Sequence, residues 1–383
     1  MITSVNGLSA TPEALQNTEI FVKDTFGLQD ALWTGRAATG LYFALQTLKK
    51  ENPSKTEVIV PGLSCGTMAN VTSMCGLVPR FADTDPNTGL ISLDSIKKVH
   101  SERTLAVIFI HLYGNTGDVT LISDWCKANG IVFFEDVVQA LGAVLPTGAN
   151  AGSIADFTLF GFNKTKILEC GGGMLGIKDA DMAARIATTV DTMPLAMADS
   201  RVLEQLSLSY RNFHHSMVTV LRLHPEKNIS PFFLDIRGLY EPLYLKLGME
   251  SAKIALAFAG LRDHLKRRQA RADIYRECLE GKGPWQLMDN GSQSGCCWRF
   301  SLLLNDPGEV YRVSEAVRKD GFHVSNLYWP VNVFFRPEDV CTGSDYMARR
   351  IINLWVDDNV DEAYVIACAN SMIKNCKTNN TGN

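Results

Sequence analysis

Several things this 383-residue chain lacks narrow what it can be. Its ten cysteines form no C-x-x-C pair, and the close pair, Cys296 and Cys297, is adjacent, which suits neither zinc ligation nor an ordinary disulfide. They read as reduced thiols, and no metal site is expected. Basic excess is missing too: 37 Lys and Arg against 41 Asp and Glu give a net charge of −4, so nucleic acid and anionic membranes are not expected as partners. No apolar run approaches the roughly 18 residues that cross a bilayer. The opening MITSVNGLSATPEALQ has neither a basic segment nor a continuous apolar one, so no secretory signal is read and a cytoplasmic location is expected.

What is present is the patterning of an α/β protein of roughly two domains. Short apolar runs rich in Val, Ile and Phe occur as TEVIVPG (56–62), VPRFAD (78–83), TLAVIFIHLYG (104–114), GIVFFED (130–136), ADFTLFGF (155–162) and GGMLGIK (172–178). Segments such as SLDSIKKVHSE and TLISDWCKANG separate the first four and are long enough for crossover helices. A mainly parallel sheet covered by helices follows. In open sheets of this kind ligands lie beyond the carboxyl ends of the strands. The polar residues HLYG (111–114), ED (135–136) and NKTK (163–166) all fall at that edge, which makes it the candidate site.

From about 181 to 270 the pattern is helical, and the Pro-free run GMESAKIALAFAGLRDHLKRRQARADIYRECL reads as one long helix linking two domains. Runs such as CCWRFSLLL and FHVSNLYWP then alternate with VYRVSEAVRKDG and VDEAYVIACANSMIK, as in a smaller α+β domain. The expected division is 1–250, with a helical insertion at about 181–245, and 251–383, with a disordered polar tail at 377–383.

Three groups could carry chemistry. Lys164 and Lys166 lie two apart between a strand and three glycines; a lysine there is either a solvated cation or an amine able to bond a carbonyl. Asp136 ends a strand, either capping a following helix or holding a protonated ring nitrogen, as pyridoxal phosphate requires to act as an electron sink. WTGRAATGLYFAL (33–45) opens a helix whose first amides and dipole could bind an anion, with Gly35 permitting close approach and Arg36 adding charge; an ordinary helix start is the other reading. That turn carries neither G-x-G-x-x-G nor G-x-x-x-x-G-K-[ST], which removes the main support for a dinucleotide or P-loop site.

The order TGRAA, VIVPGLSCGTMAN, FADTD, HLYG, EDVVQALG, FGFNKTKIL resembles the DegT group of pyridoxal-phosphate-dependent sugar aminotransferases, members of the aspartate-aminotransferase-like fold (fold type I). The resemblance is strong over about 30–180 and weaker over 250–372, where VSNLYWP and RRIINLWVDDNVDEAYV carry it. It implies a large domain with a mainly parallel, seven-stranded mixed sheet between helices, a smaller α+β C-terminal domain and a homodimer with a shared active site. It also implies transfer of an amino group from glutamate or glutamine to a keto acceptor, typically a nucleotide-linked keto sugar.

Carried over by position, Lys166 is the Schiff-base lysine, Asp136 the partner of the pyridine nitrogen, and Gln139 the amide near the cofactor's 3-hydroxyl. Gly35, Arg36 and Ala37 are the phosphate-binding helix start. His111 is either a contact above the cofactor or a structural histidine. Tyr328 and Trp329 either line the substrate mouth or pack between domains. Three positions depart from the pattern: Gly161 stands where a phosphate-binding serine is expected, Cys65 where an aromatic ring stacks on the cofactor, and KLGM (246–249) where N-Y-R-M is expected.

Overall fold

A computed structural model describes residues 12–193, 200–224, 226–246 and 251–377. Residues 247–249 of the KLGM segment and 378–383 of the polar tail lie outside the described residues.

Seven strands form the large sheet: β1 (Asp30–Thr34), β2 (Glu57–Pro61), β3 (Val78–Ala82), β4 (Thr104–Ile110), β5 (Val132–Asp136), β6 (Phe157–Gly161) and β7 (Gly173–Ile177). Their spatial order is β1-β7-β6-β5-β4-β2-β3. The pairs from β3 to β6 are parallel, whereas β7 runs antiparallel to both neighbours. All seven residues of β4, TLAVIFI, are buried, as a central parallel strand covered on both faces requires. The apolar runs in the sequence therefore match β2 to β7. β1 escaped that reading because DALWT is a half-exposed edge strand with no continuous apolar run.

The register of the edge strands places the helix start. Thr34 of β1 pairs with Gly173, and Gly173 pairs with Gly161 of β6. The chain leaving β1 thus enters helix Ala37–Glu51 beside the carboxyl end of β6. That helix sits directly on β7: a β-carbon on Gly173 would lie 2.2 Å from the Ala37 nitrogen, and one on Gly40 would lie 2.8 Å from Leu175 Cβ. Glycine at 173 is what permits this backbone-on-backbone approach.

A second, antiparallel sheet follows, with β8 (Trp285–Leu287), β9 (Phe300–Leu304), β10 (Val324–Ser325) and β11 (Ile351–Leu354) in the order β10-β11-β9-β8. It has its own core, in which Phe300, Leu302 and Ile352 pack with Val313, Val365 and Met372. The single linking helix expected from the sequence is corrected to two, Ser251–Ala259 and Leu261–Leu279. The break falls at Gly260, a residue of weak helix propensity with φ −91° and ψ 0°. Ile254 and Phe258 then pack on the large core, while Ala272, Tyr275 and Leu279 pack on the small one.

The contact at Gly173 yields a stability prediction. Gly173→Ala should lower stability by about 1–3 kcal/mol in urea unfolding, because the facing atoms are backbone and cannot rotate away. Gly238→Ala, at a helical φ of −55° with open space around it, should change stability by less than about 0.5 kcal/mol. Equal effects of the two would contradict the packing described.

Candidate active site

The last two residues of β5 point to opposite faces of the sheet. Glu135 is fully buried and accepts hydrogen bonds from the amides of Gly152 (2.8 Å), Ile154 (2.9 Å) and Ala155 (2.9 Å). Its Oε1 also lies 3.0 Å from His111 Nε2. Burial pushes the Glu135 carboxyl up, but the His111 hydrogen bond and charge and the backbone donors outweigh it and hold the group below the usual carboxylate range. In the register of β4 with β5, Phe109 pairs with Glu135 and Ile110 with Asp136, so His111 falls on the Glu135 face. The structure therefore sets the His111 ring on Glu135, on the opposite face of β5 from Asp136.

Asp136 has little of this support. It is 4% exposed, and its Oδ1 accepts the Val138 N–H at 2.9 Å. Among the described residues it forms no ion pair. Burial raises its pKa, opposed by the Val138 amide and by the charges of Lys166 and His111. The alternative reading of Asp136 as a helix cap is corrected, since VVQALG forms turns and not a helix. One turn later Gln139 is fixed at both ends: its Oε1 accepts the Tyr113 N–H at 2.8 Å, and its Nε2 donates to the Tyr328 hydroxyl at 2.7 Å.

Lys164 and Lys166 diverge. Lys164 is exposed, whereas Lys166 is half-buried and acts electrostatically on Asp136. Between them Thr165 adopts φ 71°, a left-handed conformation that a β-branched residue holds only under restraint. Glu169 Oε1 accepts the Thr165 N–H at 2.8 Å, and Trp298 Nε1 donates to the Thr165 carbonyl. The buried Arg268 donates to the Lys166 carbonyl at 3.4 Å and to the Trp298 carbonyl at 2.8 Å. The lysine loop is thus gripped by Arg268 and Trp298, which the sequence reading did not single out.

Tyr113, Trp298 and Tyr328 continue that wall. Their rings stack with centroids 5.9 Å (Tyr113 to Trp298), 6.4 Å (Tyr113 to Tyr328) and 6.2 Å (Trp298 to Tyr328) apart. Tyr113 also donates its hydroxyl hydrogen to the Leu327 carbonyl.

At the helix start the expected free donors are partly taken, which is a correction. The Gly35 N–H donates to the Lys246 carbonyl at 2.7 Å, and Arg36 Nη1 donates to the Leu243 carbonyl. Thr39 Oγ1 donates toward the Lys246 carbonyl at 3.1 Å and accepts the Lys246 N–H at 2.8 Å. The segment that closes the helical insertion therefore covers this turn. The amides of Ala37 and Ala38 remain the first-turn donors that an α-helix leaves without an intrahelical partner.

Gly161 offers no room for the expected serine without movement. A β-carbon there would lie 3.1 Å from both γ-carbons of Val138. Cys65, half-buried, lies instead on a cavity of about 750 Å³ shared with Arg36, Ser64, Gly66 and Thr67 at one end and with Tyr328 and Trp329 at the other. Tyr210 and His214 of the insertion helix Ser200–Leu223 form part of its wall. No sequence motif marked these two residues. A larger apolar groove, about 1000 Å³ between helices Pro12–Phe26 and Leu261–Leu279, includes none of the candidate residues.

With this geometry described, comparison with known proteins is informative. GDP-perosamine synthase of Caulobacter vibrioides is 32% identical over 164 residues, 43% of this chain and 43% of that protein. L-glutamine:2-deoxy-scyllo-inosose aminotransferase of Streptomyces fradiae is 35% identical over 131 residues, 34% of this chain and 31% of that protein. The chain thus spans less than half the length of these curated relatives. Helicobacter pylori PseC, an aminotransferase involved in the biosynthesis of pseudoaminic acid, shares the fold with a TM-score of 0.75 at 15% identity, over 95% of this chain and 91% of that one. The profile of the DegT/DnrJ/EryC1/StrS aminotransferase family matches residues 12–372, most of the chain, and the protein belongs to that family.

Proposed function

We propose that the protein is a pyridoxal-phosphate-dependent aminotransferase that moves an amino group from glutamate or glutamine to a keto sugar or a related cyclic ketone. The observation that carries this reading is Asp136, a buried carboxylate with no ion-pair partner among the described residues, on one sheet edge with Gln139 and Lys166. A buried carboxylate without a cation is costly, and a protonated pyridine nitrogen is a partner of the right charge.

These residues fit the cofactor. Lys166 would hold it covalently, Asp136 would accept from its ring nitrogen, and Gln139 would lie at its hydroxyl. The Ala37 and Ala38 amides with Arg36 would hold the phosphate, Arg36 standing in for the hydroxyl absent at Gly161. When bound, pyridoxal phosphate supplies an electron sink for carbanion charge. Once the donor's amine has displaced it, Lys166 Nζ would take the proton from the donor's α-carbon as a base and later give a proton back as an acid. Trp298 and Arg268 hold the backbone carbonyls of Thr165 and Lys166, which would limit the positions this nitrogen can take. The Tyr113–Trp298–Tyr328 stack would form one side of the site, and the cavity lined by Tyr328 and Trp329 would receive the acceptor. A homodimer sharing its two sites belongs to the same reading.

Two outcomes follow. The cofactor-loaded protein should convert its visible absorbance to that of the amine form on addition of L-glutamate or L-glutamine. Lys166→Ala should abolish the conversion, whereas Lys164→Ala should retain most of it; the reverse pattern would overturn the assignment. The second outcome comes from the sign of the Asp136 shift. A raised folded pKa means that the ionised group opposes folding as pH rises above its unfolded value of about 3.9. Asp136→Asn should therefore raise the stability of the cofactor-free protein at pH 7, read as a higher urea midpoint, while weakening cofactor affinity. Unchanged affinity in this variant, measured by equilibrium titration, would remove Asp136 from the site.

A further inference from the structure

A cavity of about 390 Å³ is lined by Ile167 and Cys170 of the lysine loop and by His264, Arg267, Arg268 and Asp358. Along its wall runs a chain of hydrogen bonds that ends on the Lys166 carbonyl. His264, Arg267 and Arg268 stand on helix Leu261–Leu279, where residues three and four apart share a face.

The directions of these bonds follow from the groups themselves. Arg268 is 2% exposed, and a guanidinium can only donate. Its Nη2 donates to the Lys166 carbonyl at 3.4 Å, its Nη1 to the Trp298 and Cys297 carbonyls at 2.8 and 3.4 Å, and its Nε to His264 Nε2 at 2.8 Å. His264 Nε2 is therefore the unprotonated nitrogen of a neutral ring, which puts the proton on Nδ1, 2.9 Å from Asp358 Oδ2. Asp358 is fixed in turn: Arg267 donates to its two oxygens at 3.0 and 2.8 Å, and Arg271 Nη1 donates to Oδ1 at 3.0 Å. The hydrogen bonds from Arg267, then those from Arg271 and His264, outweigh burial and hold the Asp358 carboxyl well below the usual carboxylate range. It stays an acceptor while a histidine titrates.

His264 is the one member of this chain that can exchange an acceptor for a donor. Burial and the charge of Arg268 push its pKa below the ordinary histidine value, against the opposing pull of Asp358 and the Ile167 carbonyl. Asp357, Glu169 and Cys170 are the other ionisable groups on the same cavity among the described residues. A histidine with a lowered folded pKa contributes stability that is full above its unfolded value of about 6.5 and is lost as pH falls toward the folded one. The His264 side chain is 16% exposed, so solvent protons reach it. A proton on Nε2 would set a donor against the Arg268 Nε–H and a second positive charge beside the guanidinium.

We propose that His264 is a positioning residue for Lys166: as a neutral imidazole it holds Arg268 on the carbonyls of Lys166 and Trp298, and its protonation on acidification releases that hold. The service to Lys166 rests on the reading of the site as an aminotransferase, whereas the relay to the loop does not.

The test is hydrogen exchange at the lysine loop, read by mass spectrometry as protection factors over residues 162–171 of the cofactor-free full chain, between about pH 8 and about pH 5. His264→Gln is the probe, since its amide can accept from Arg268 and donate to Asp358 but cannot be protonated in this range. The two chains should be protected equally at about pH 8. At about pH 5 the wild type should lose on the order of 10-fold in protection relative to the variant, the worth of one hydrogen bond from a charged group. Comparison at equal pH cancels the titration of Glu169 and Asp357, which both chains share. In the cofactor-loaded protein, conversion with L-glutamate should fall in the same acidic window in the wild type and less so in His264→Gln; an identical fall in both overturns the service to Lys166. Should His264→Gln fail to fold, His264→Ala decides the matter: a poorly protected loop already at about pH 8 supports the relay, and wild-type protection there overturns it. Equal protection of wild type and His264→Gln across the whole range overturns it too. A loop released by acid through His264, in a protein that never converts its cofactor with glutamate, would leave the relay standing and remove the aminotransferase reading instead.

Discussion

Burying a carboxylate at the end of a parallel strand without a cation beside it is the constraint on which this site depends. Adjacent residues of β5 meet that constraint differently. Glu135 turns to one face and is satisfied by three amides and His111. Asp136 turns to the other face and keeps one amide and the more remote charge of Lys166. The first carboxylate draws all these donors from the protein itself. The second is incomplete, and a ligand with a protonated nitrogen would complete it.

The strands bring the other participants to that point. Because β2, β4, β5 and β6 run parallel, their carboxyl ends share one edge, and the antiparallel β7 adds the carboxyl end of β1 to it. Gly173 then lets helix Ala37–Glu51 settle against the sheet, which fixes its first amides beside Gly161. Residues late in the chain supply the remaining restraint. Arg268 and Trp298 hold the carbonyls of Lys166 and Thr165, and Tyr328 meets Gln139, so the lysine loop and the Gln139 amide are both held by long-range contacts.

Much of this was legible in the sequence because it is local. Continuous apolar runs marked β2 to β7, and the polar residues that follow β4 and β6 and end β5 fell at the sheet edge as the parallel pattern requires. Three kinds of feature were not legible. The edge strand β1 is half-exposed and shows no run. The break at Gly260 is a single weak point in an otherwise continuous helical pattern, which periodicity does not register. The occupation of the Gly35 amide by Lys246, and the support of Lys166 by Arg268, join residues 211 and 102 positions apart, a separation at which periodicity carries no information. His111 shows the same limit: its motif put it at the edge, but only strand register told which face it serves.

The central claim is that Lys166 is the amine that holds the cofactor. Borohydride reduction of the pyridoxal-phosphate-loaded protein, followed by proteolysis and mass spectrometry, tests it directly by fixing the cofactor to whichever lysine carries it. The account predicts a single modified peptide with the added mass on Lys166. Modification on Lys164 or on a lysine outside this loop, or no covalent attachment at all, would contradict it.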